Sequence, residues 1–216
     1  MATPDSVTLY YSPRTRASGI RVLLEELGAP YALHTLNMAK DEQREPGYLA
    51  VNPFGKVPAI RHGDAVVTEQ SAIYIYLADA FPDAGLTPAI GDPDRGAFLR
   101  WIVFYSSCFE PALIDKSMGR EPPPASRSAY GDYEGVIAAI QSNLTEGKFM
   151  AGDRFTAADL LWGGALNLMT RFGLVPKTPV FDAYIEKVIS RPSFGKVAEE
   201  DEIMAAAHEE EASGSA

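Results

Sequence analysis

The stretch NPFGKVPAIRHGDAVVTEQSAI, residues 52–73, decides the fold. Its two short runs of strand-forming composition, VPAIR and AVVT, are separated by a His-Gly-Asp triplet at 62–64, which predicts a β-hairpin with glycine in its turn. Pro58 lies at the head of the first run, although a proline cannot donate a hydrogen bond to a sheet ladder. Glu69 lies where the second run gives way to a helix. Taken singly, Pro58 fits the end of a loop and Glu69 fits a helix-start carboxylate, whereas the two together at these junctions favour a functional role.

The segment before the hairpin predicts a βαβ unit. Residues 7–11 have strand composition, apolar residues at helical spacing follow as far as Gly28, and residues 31–37 alternate as a second strand. Strand, helix and strand within about 30 residues predict two parallel strands. After the hairpin, residues 72–80 carry another helical stripe of apolar residues. The order βαβ, connector, ββα is typical of a thioredoxin-like α/β domain.

A proline-rich stretch after this domain leads into a region where every predicted element is a helix. In one of these helices Thr156 and Asp159 form a predicted capping box, and the small residues at 163–165 allow another helix to approach closely. The fold class is therefore an α/β N-terminal thioredoxin-like domain (βαβ-ββα) followed by an all-α C-terminal helical bundle domain. The acidic run at 199–211 is interpreted as a solvated, fraying end. The predicted boundaries are 1–80 for the first domain, 81–93 for the linker, 94–206 for the helical domain and 207–216 for a disordered tail.

Composition excludes several classes of function. The chain has 216 residues, a formal net charge of −10 and one cysteine, Cys108. This net charge disfavours duplex nucleic acid and anionic membranes as partners. One cysteine cannot form an internal disulfide or a CxxC redox pair, and the three histidines show no metal-ligand spacing. The N-terminus has no signal-peptide pattern, and no apolar run reaches about 18 residues. We expect a cytoplasmic protein with no metal site and no nucleic-acid or membrane partner.

The two junction residues predict a site for a small peptide. If the bond before Pro58 is cis, Val57 turns its own N–H and C=O outward, where they can pair with an extended peptide. Glu69 would begin the next helix, and the backbone N–H groups of Gln70 and Ser71 would form an anion site at the helix N-terminus. The carboxylate beside that anion site can hold an ammonium group. Such a site would bind an amino-acid head and a peptide-like backbone together, and glutathione has both.

Longer stretches carry a family resemblance. LYYSPRTRASGIRVLLEELG, AVNPFGKVPAI and TEQSAIYIYLADAFP resemble three successive N-terminal motifs of bacterial cytosolic glutathione S-transferases, and FTAADLLWGGAL resembles the capping box of their helical domain. The resemblance covers about residues 6–200. It implies a homodimeric detoxification enzyme that conjugates the glutathione thiolate to a small hydrophobic electrophile. Glutathione is then a co-substrate, and no metal or redox cofactor is implied.

The resemblance also implies roles for individual residues. Val57 would bind the cysteinyl backbone of glutathione, while Glu69 and its successor would bind the γ-glutamyl end. The family usually has Ser or Thr at that successor, whereas this chain has Gln70, followed by Ser71. A glutamine side chain still donates to a carboxylate, and the backbone N–H is unchanged, so the departure affects γ-glutamyl affinity only modestly.

Thiol activation is expected from the loop after the first strand. A free thiol with a pKa of about 8.5 is only a few per cent ionised at neutral pH, so a hydroxyl donor and a helix N-terminus must stabilise the thiolate. Ser12 and Thr15 are equal candidates for that hydroxyl, and Tyr11 is a third candidate or else a core aromatic. Arg16 is either a thiolate-stabilising cation or a solvated arginine. By position, Lys40 is either a ligand of the glycyl carboxylate or a surface lysine.

The electrophile site is expected in the helical domain. Trp101, Tyr105 and Cys108 fall at helical spacing on its first helix, where they either line an electrophile pocket or pack in the core. Two other functions remain open on the same scaffold. One is a glutathione-dependent isomerase, dehalogenase or peroxidase, which would turn over without leaving a lasting conjugate. The other is a non-catalytic protein that binds glutathione without lowering its thiol pKa.

Overall fold

The computed structural model describes residues 6–121, 123–124, 126–145 and 148–213, and these residues form two compact units. The first unit comprises the chain up to Ala84 together with the segment from Pro192 onward. The second unit is Gly85–Arg191. A mixed four-stranded sheet with helices, followed by a helical region, confirms the predicted fold class.

The first unit contains all four strands of the described chain and four of its α-helices. The strands are β1 (Val7–Tyr11), β2 (Tyr31–Thr35), β3 (Ala59–His62) and β4 (Ala65–Thr68). The helices are α1 (Ala17–Leu27), α2 (Pro46–Leu49), α3 (Gln70–Ala80) and, from the end of the chain, α9 (Pro192–Ser213). Short 3₁₀ turns occupy Met38–Lys40, Glu42–Arg44 and Pro82–Ala84.

The sheet has the strand order β2-β1-β3-β4. β1 and β2 are parallel, whereas β3 is antiparallel to both β1 and β4. The parallel pair confirms the βαβ unit, and the β3–β4 pair confirms the hairpin, whose turn contains Gly63 at a φ of 57°. Gly28 ends α1 in the left-handed conformation, as a C-terminal cap requires.

The core of the first unit lies between the sheet and helices α1 and α3. The apolar residues that α1 contributes recur at helical spacing, and β1 contributes alternate residues. The fully buried members are Val7, Leu9, Ile20, Leu23, Leu24, Ile60, Ile73 and Leu77. Gly19 lets the two helices approach closely, because a Cβ there would lie 3.2 Å from both the Tyr74 hydroxyl and the Gln70 amide.

The second unit is helical. Its helices are α4 (Arg95–Phe104), α5 (Glu110–Ser117), α6 (Tyr133–Leu144), α7 (Ala157–Arg171) and α8 (Pro179–Ile189), with a π-helical segment, Tyr105–Phe109, joining α4 to α5. The predicted capping box is present at the start of α7, where Thr156 and Asp159 hydrogen-bond reciprocally. The buried Asp159 carboxylate also accepts from the Tyr184 hydroxyl at 2.8 Å and from the Met150 N–H at 2.7 Å.

The continuous helical run Arg95–Ser117 has the length and composition of a membrane-spanning helix. Core helices of soluble proteins meet the same criterion, so it is weak evidence for a span. This run also supplies buried core residues, including Phe98, Trp101 and Phe109.

The C-terminal segment differs from the prediction. Residues 207–213, expected in a disordered tail, continue helix α9, and the whole of α9 groups with the first unit rather than with the helical domain. The physical reason is charge pairing, since α9 offers carboxylates to basic and hydroxyl groups of the first unit. One of these carboxylates, Asp201, is buried. Residues 214–216 lie outside the described residues.

Candidate functional site

The register of the sheet brings the two junction residues together. Ala59, the first residue of β3, lies opposite Tyr10 of β1 and opposite Thr68 of β4. Pro58 and Glu69 immediately flank the Ala59–Thr68 pair, so both lie at that end of the sheet. The order of the strands therefore explains why the proline and the carboxylate, which the sequence analysis assigned to one site, lie at the same end of the sheet.

Ser12 and Val57 each lie two residues beyond the last recorded pair, Tyr10 and Ala59, so both lie at the same end of the sheet. The Val57–Pro58 bond is cis, as expected. The β3 ladder begins only at Ala59, so the Val57 main chain takes no part in its strand pairing. The preceding carbonyl, that of Lys56, accepts hydrogen bonds from the Tyr48 hydroxyl at 2.5 Å and from the Asn52 amide at 2.8 Å.

Glu69 occupies the N-cap position of α3 with an unusual backbone conformation, φ 68° and ψ 120°. Residues other than glycine rarely adopt a positive φ, and residues with such unusual backbone angles cluster at functional sites. Its carboxylate is exposed, so it is accessible to a ligand. Gln70 turns its amide toward the backbone carbonyl of Arg16, at 3.4 Å, and Ser71 is buried. Position 70 therefore joins the start of α3 to the start of α1.

The two candidate hydroxyls lie in different environments. The Thr15 hydroxyl donates to the Ser12 carbonyl at 2.7 Å and accepts from the Ala17 N–H at 3.2 Å, so it is hydrogen-bonded to the backbone on both sides just before α1. Its proton is therefore already committed to the backbone. Ser12 is buried, and its contact with Thr15 is made by its carbonyl rather than by its hydroxyl. Hydrogen bonding thus distinguishes the two residues where the sequence does not.

Tyr11 belongs to the interior of the first unit. Its side chain is fully buried, and its hydroxyl donates to the carboxylate of Asp201. Burial, together with that hydrogen bond, raises the pKa of Tyr11 above its ordinary range, so the phenol remains a proton donor. This environment favours the core-aromatic alternative for Tyr11, and a glutathione contact by Tyr11 stays a prediction.

The two predicted cations lie in different connecting segments, Arg16 just before α1 and Lys40 in the 3₁₀ turn after β2. Arg16 is exposed just before α1. Lys40 forms an ion pair with Glu211 of α9, with a 3.2 Å distance between its Nζ and the carboxylate. A ligand carboxylate would therefore compete with Glu211 for Lys40.

Sequence reasoning missed Asp201, which lies on α9 but contacts the loop after β1. The acidic composition around it indicated a solvated tail. No local signal identified this residue, because its partners lie more than 180 positions away in the chain.

The predicted electrophile-pocket residues lie in the second unit. Trp101 and Tyr105 are buried, and their rings contact the Trp162 ring at centroid distances of 5.9 and 5.7 Å. This cluster favours the core-packing alternative for both aromatic rings, and their role in an electrophile pocket stays a prediction. Cys108 is half-buried in the π-helical segment, with its sulfur 3.5 Å from the Ser107 hydroxyl.

Metal ligation finds no support in the described part of the chain. There, no group of three or more His, Cys, Asp or Glu side chains could hold a metal ion.

Comparison with known proteins identifies the family. Residues 6–79 match the family model for the glutathione S-transferase N-terminal domain, and residues 125–192 match that for the C-terminal domain. A probable glutathione S-transferase of Oryza sativa subsp. japonica is 32% identical over 194 residues, which cover 82% of this chain and 87% of that protein. The chain belongs to the glutathione S-transferase family. The matched N-terminal range contains the candidate residues at the end of the sheet, which we call the sheet-end site: Ser12, Val57, Pro58 and Glu69.

Other members extend the comparison. A glutathione S-transferase of Hyoscyamus muticus is 29% identical over 88% of this chain and 96% of its own length. The structure of a sphingomonad glutathione S-transferase complexed with glutathione is 28% identical, with a TM-score of 0.74, over 90% of this chain and 98% of that chain. These relatives include plant as well as bacterial glutathione S-transferases. The comparisons therefore show membership of the family, but not of a bacterial group within it.

Proposed function

We propose that this glutathione S-transferase conjugates the thiolate of glutathione to a small hydrophobic electrophile. The observation that carries the proposal is the convergence of Ser12, Val57 and Glu69 at one end of the four-stranded sheet. The sphingomonad relative, whose structure contains glutathione, supports glutathione as the ligand. Glutathione serves as co-substrate, and the reaction requires no resident cofactor.

Each element at the sheet end has a matching part of the tripeptide. The Val57 main chain, which is outside the strand ladder, pairs with the cysteinyl backbone as an added strand would. Glu69 binds the γ-glutamyl ammonium, and the N-terminus of α3 binds the neighbouring carboxylate. By position, Lys40 would bind the glycyl end by exchanging Glu211 for the ligand, and Arg16 would stabilise the thiolate.

Ser12 supplies the hydroxyl that steadies the thiolate. Ser12 is buried at the same end of the sheet as Val57, whereas Thr15 has committed its proton to the Ser12 carbonyl. Each unit by which the thiol pKa falls requires about 1.4 kcal/mol of preferential stabilisation of the thiolate. A charge-assisted hydrogen bond contributes about 1.5–3 kcal/mol, so one hydroxyl accounts for a shift of about one to two units.

The pair Ser12→Ala and Thr15→Ala tests this assignment. In Ser12→Ala, we expect the pKa of the bound thiol to rise by about one to two units, with little change in glutathione affinity. In Thr15→Ala, we expect the same thiol pKa as in the unmodified protein and a loss of about 1 kcal/mol of unfolding free energy, because two hydrogen bonds to the backbone are removed. Thiolate absorbance against pH and conjugation of chloro-dinitrobenzene provide the readouts. The reverse pattern would transfer the role to Thr15.

The same assay separates the remaining functions. Retention on immobilised glutathione without any thiolate signal would favour a non-catalytic glutathione-binding protein. Turnover without a lasting conjugate would favour an isomerase, dehalogenase or peroxidase. Failure of both retention and turnover would refute the proposal.

We also propose that the protein works as a cytoplasmic homodimer in detoxification, as the family resemblance implies. The first unit exposes a large apolar side chain, Phe54, at 70% of its surface, which suits a subunit contact. Sedimentation equilibrium would test the assembly, and a mass equal to that of one 23.4 kDa chain would exclude it.

A further inference from the structure

The carboxylate of Asp201 is buried against the loop that follows β1. Only 4% of the residue is exposed, although it lies within an acidic helix. One of its oxygens accepts from the Tyr11 hydroxyl, and the other accepts from the Arg14 backbone N–H at 3.1 Å and from the Ser18 hydroxyl at 2.5 Å. A buried carboxylate is stable only when such donors replace its lost water.

The three donors bracket the segment that carries both candidate hydroxyls. Tyr11 immediately precedes Ser12, Arg14 immediately precedes Thr15, and Ser18 lies in the first turn of α1. A single carboxylate on α9 therefore holds the beginning, middle and end of the loop.

The loop needs such a contact, because Arg14 has a φ of 56°. A left-handed conformation costs a residue with a side chain about 1–2 kcal/mol. The hydrogen bond from the Arg14 N–H to Asp201 offsets that cost from outside the loop.

Further contacts hold α9 in place around Asp201. The mostly buried Arg21 forms an ion pair with Glu200, and its other terminal nitrogen lies 4.0 Å from the Asp201 carboxylate. The Arg14 side chain pairs with Glu202 and with Glu209. Farther along the helix, the Asn37 amide donates to the His208 carbonyl at 3.0 Å.

We propose that Asp201 is a positioning residue for the thiol: by fixing the backbone of residues 11–18, it sets the orientation of the Ser12 hydroxyl. This inference rests on the proposed function of that hydroxyl. Asp201 itself does not touch the thiol and acts through the loop. Its contribution to catalysis is therefore geometric.

A competing effect of opposite sign makes the inference testable. The negative charge of Asp201 disfavours a nearby thiolate, so its removal by charge alone would lower the thiol pKa. Loss of loop positioning would instead raise the thiol pKa, because the Ser12 hydrogen bond would weaken. The nearby charged residues Arg14, Arg21 and Glu200 are unchanged in all three variants used below.

The experiment compares Asp201→Asn, Ser18→Ala and a matched control, Glu199→Gln, in the full chain. Asp201→Asn removes the charge and one acceptor oxygen, whereas Ser18→Ala removes one donor and keeps the charge. Glu199→Gln removes the same charge from the exposed side of the same helix. The readouts are the pKa of the glutathione thiol, taken from thiolate absorbance against pH, and the hydrogen exchange rate of the Arg14 amide.

We expect Asp201→Asn to raise the thiol pKa by about one unit, which leaves about tenfold less thiolate at a pH well below that pKa. Ser18→Ala should shift it in the same direction by less, and Glu199→Gln should not shift it. Exchange of the Arg14 amide should accelerate in Asp201→Asn, because its acceptor is weakened.

Two results would overturn the inference. One is an unchanged thiol pKa in both Asp201→Asn and Ser18→Ala, when the unmodified protein gives a thiolate signal. The other is a lowered pKa in Asp201→Asn with no change in Ser18→Ala, which would show a charge effect. Absence of the thiolate signal in the unmodified protein would instead refute the proposed function, and the inference with it. If Asp201→Asn does not fold, Ser18→Ala alone decides between a raised and an unchanged pKa.

Discussion

At the scale of single residues, Glu69 combines an exposed carboxylate with a backbone conformation that costs about 1–3 kcal/mol. If its carboxylate binds the γ-glutamyl ammonium, Glu69→Gln should weaken glutathione binding about tenfold, or about 1.4 kcal/mol. A glutathione analogue without that amino group should bind the two proteins equally. Isothermal titration of both ligands against both proteins gives the coupling energy directly.

Asp64→Asn is the control for this cycle, since it removes an exposed carboxylate at the opposite end of the same hairpin. It should leave both affinities unchanged. An equal loss of affinity for glutathione and for its analogue in Glu69→Gln would separate Glu69 from the ammonium.

The sequence predicted these junction residues because each marks a change of secondary structure, which local patterns record. It did not distinguish Ser12 from Thr15. That distinction depends on which hydroxyl proton is taken by a backbone carbonyl, and residue type and spacing carry no information about it.

At the scale of helices and strands, the approach of α7 to α8 depends on Gly163. A Cβ at this position would lie 2.4 Å from Cγ1 and 2.6 Å from Cβ of Val188. Because α8 would have to move, Gly163→Ala should lower the unfolding free energy by about 1–3 kcal/mol. The double variant Gly163→Ala/Val188→Ala should lose less than the sum of the single variants. Urea unfolding followed by circular dichroism measures all three.

Gly96→Ala, within α4 of the same unit, is the matched control. No atom lies within 4 Å of its added Cβ, so the helix should gain about 0.5 kcal/mol from reduced chain entropy. If the losses of unfolding free energy in Gly163→Ala and Val188→Ala simply add in the double variant, then α7 and α8 already accommodate the methyl group that alanine adds at position 163.

Helices with an apolar stripe or a cap could be predicted, whereas α9 could not. Its buried positions, Ser193, Val197, Asp201 and Ala205, recur every four residues, but only the valine is a sizeable apolar side chain. A pattern based on apolar residues therefore registers no buried face. Since few apolar contacts hold α9, its position depends on the hydrogen bonds and ion pairs of its carboxylates.

At the scale of the whole molecule, the first unit is discontinuous in sequence, whereas the second is contiguous. A chain that ends at Arg191 lacks α9, so it leaves Arg21 and the Tyr11 hydroxyl without their acid partners. Both tryptophans, Trp101 and Trp162, lie in the second unit, so tryptophan fluorescence reports on that unit alone.

We expect the shortened chain to keep a cooperative fluorescence transition on urea unfolding while it loses retention on immobilised glutathione. Limited proteolysis should then cut the first unit earlier than the second, because loss of buried polar partners weakens that unit locally. A chain that ends at Ser213 is the control and should behave like the full chain, since it keeps all of α9. Undiminished retention by the chain ending at Arg191 would show that the sheet-end site forms without the C-terminal helix.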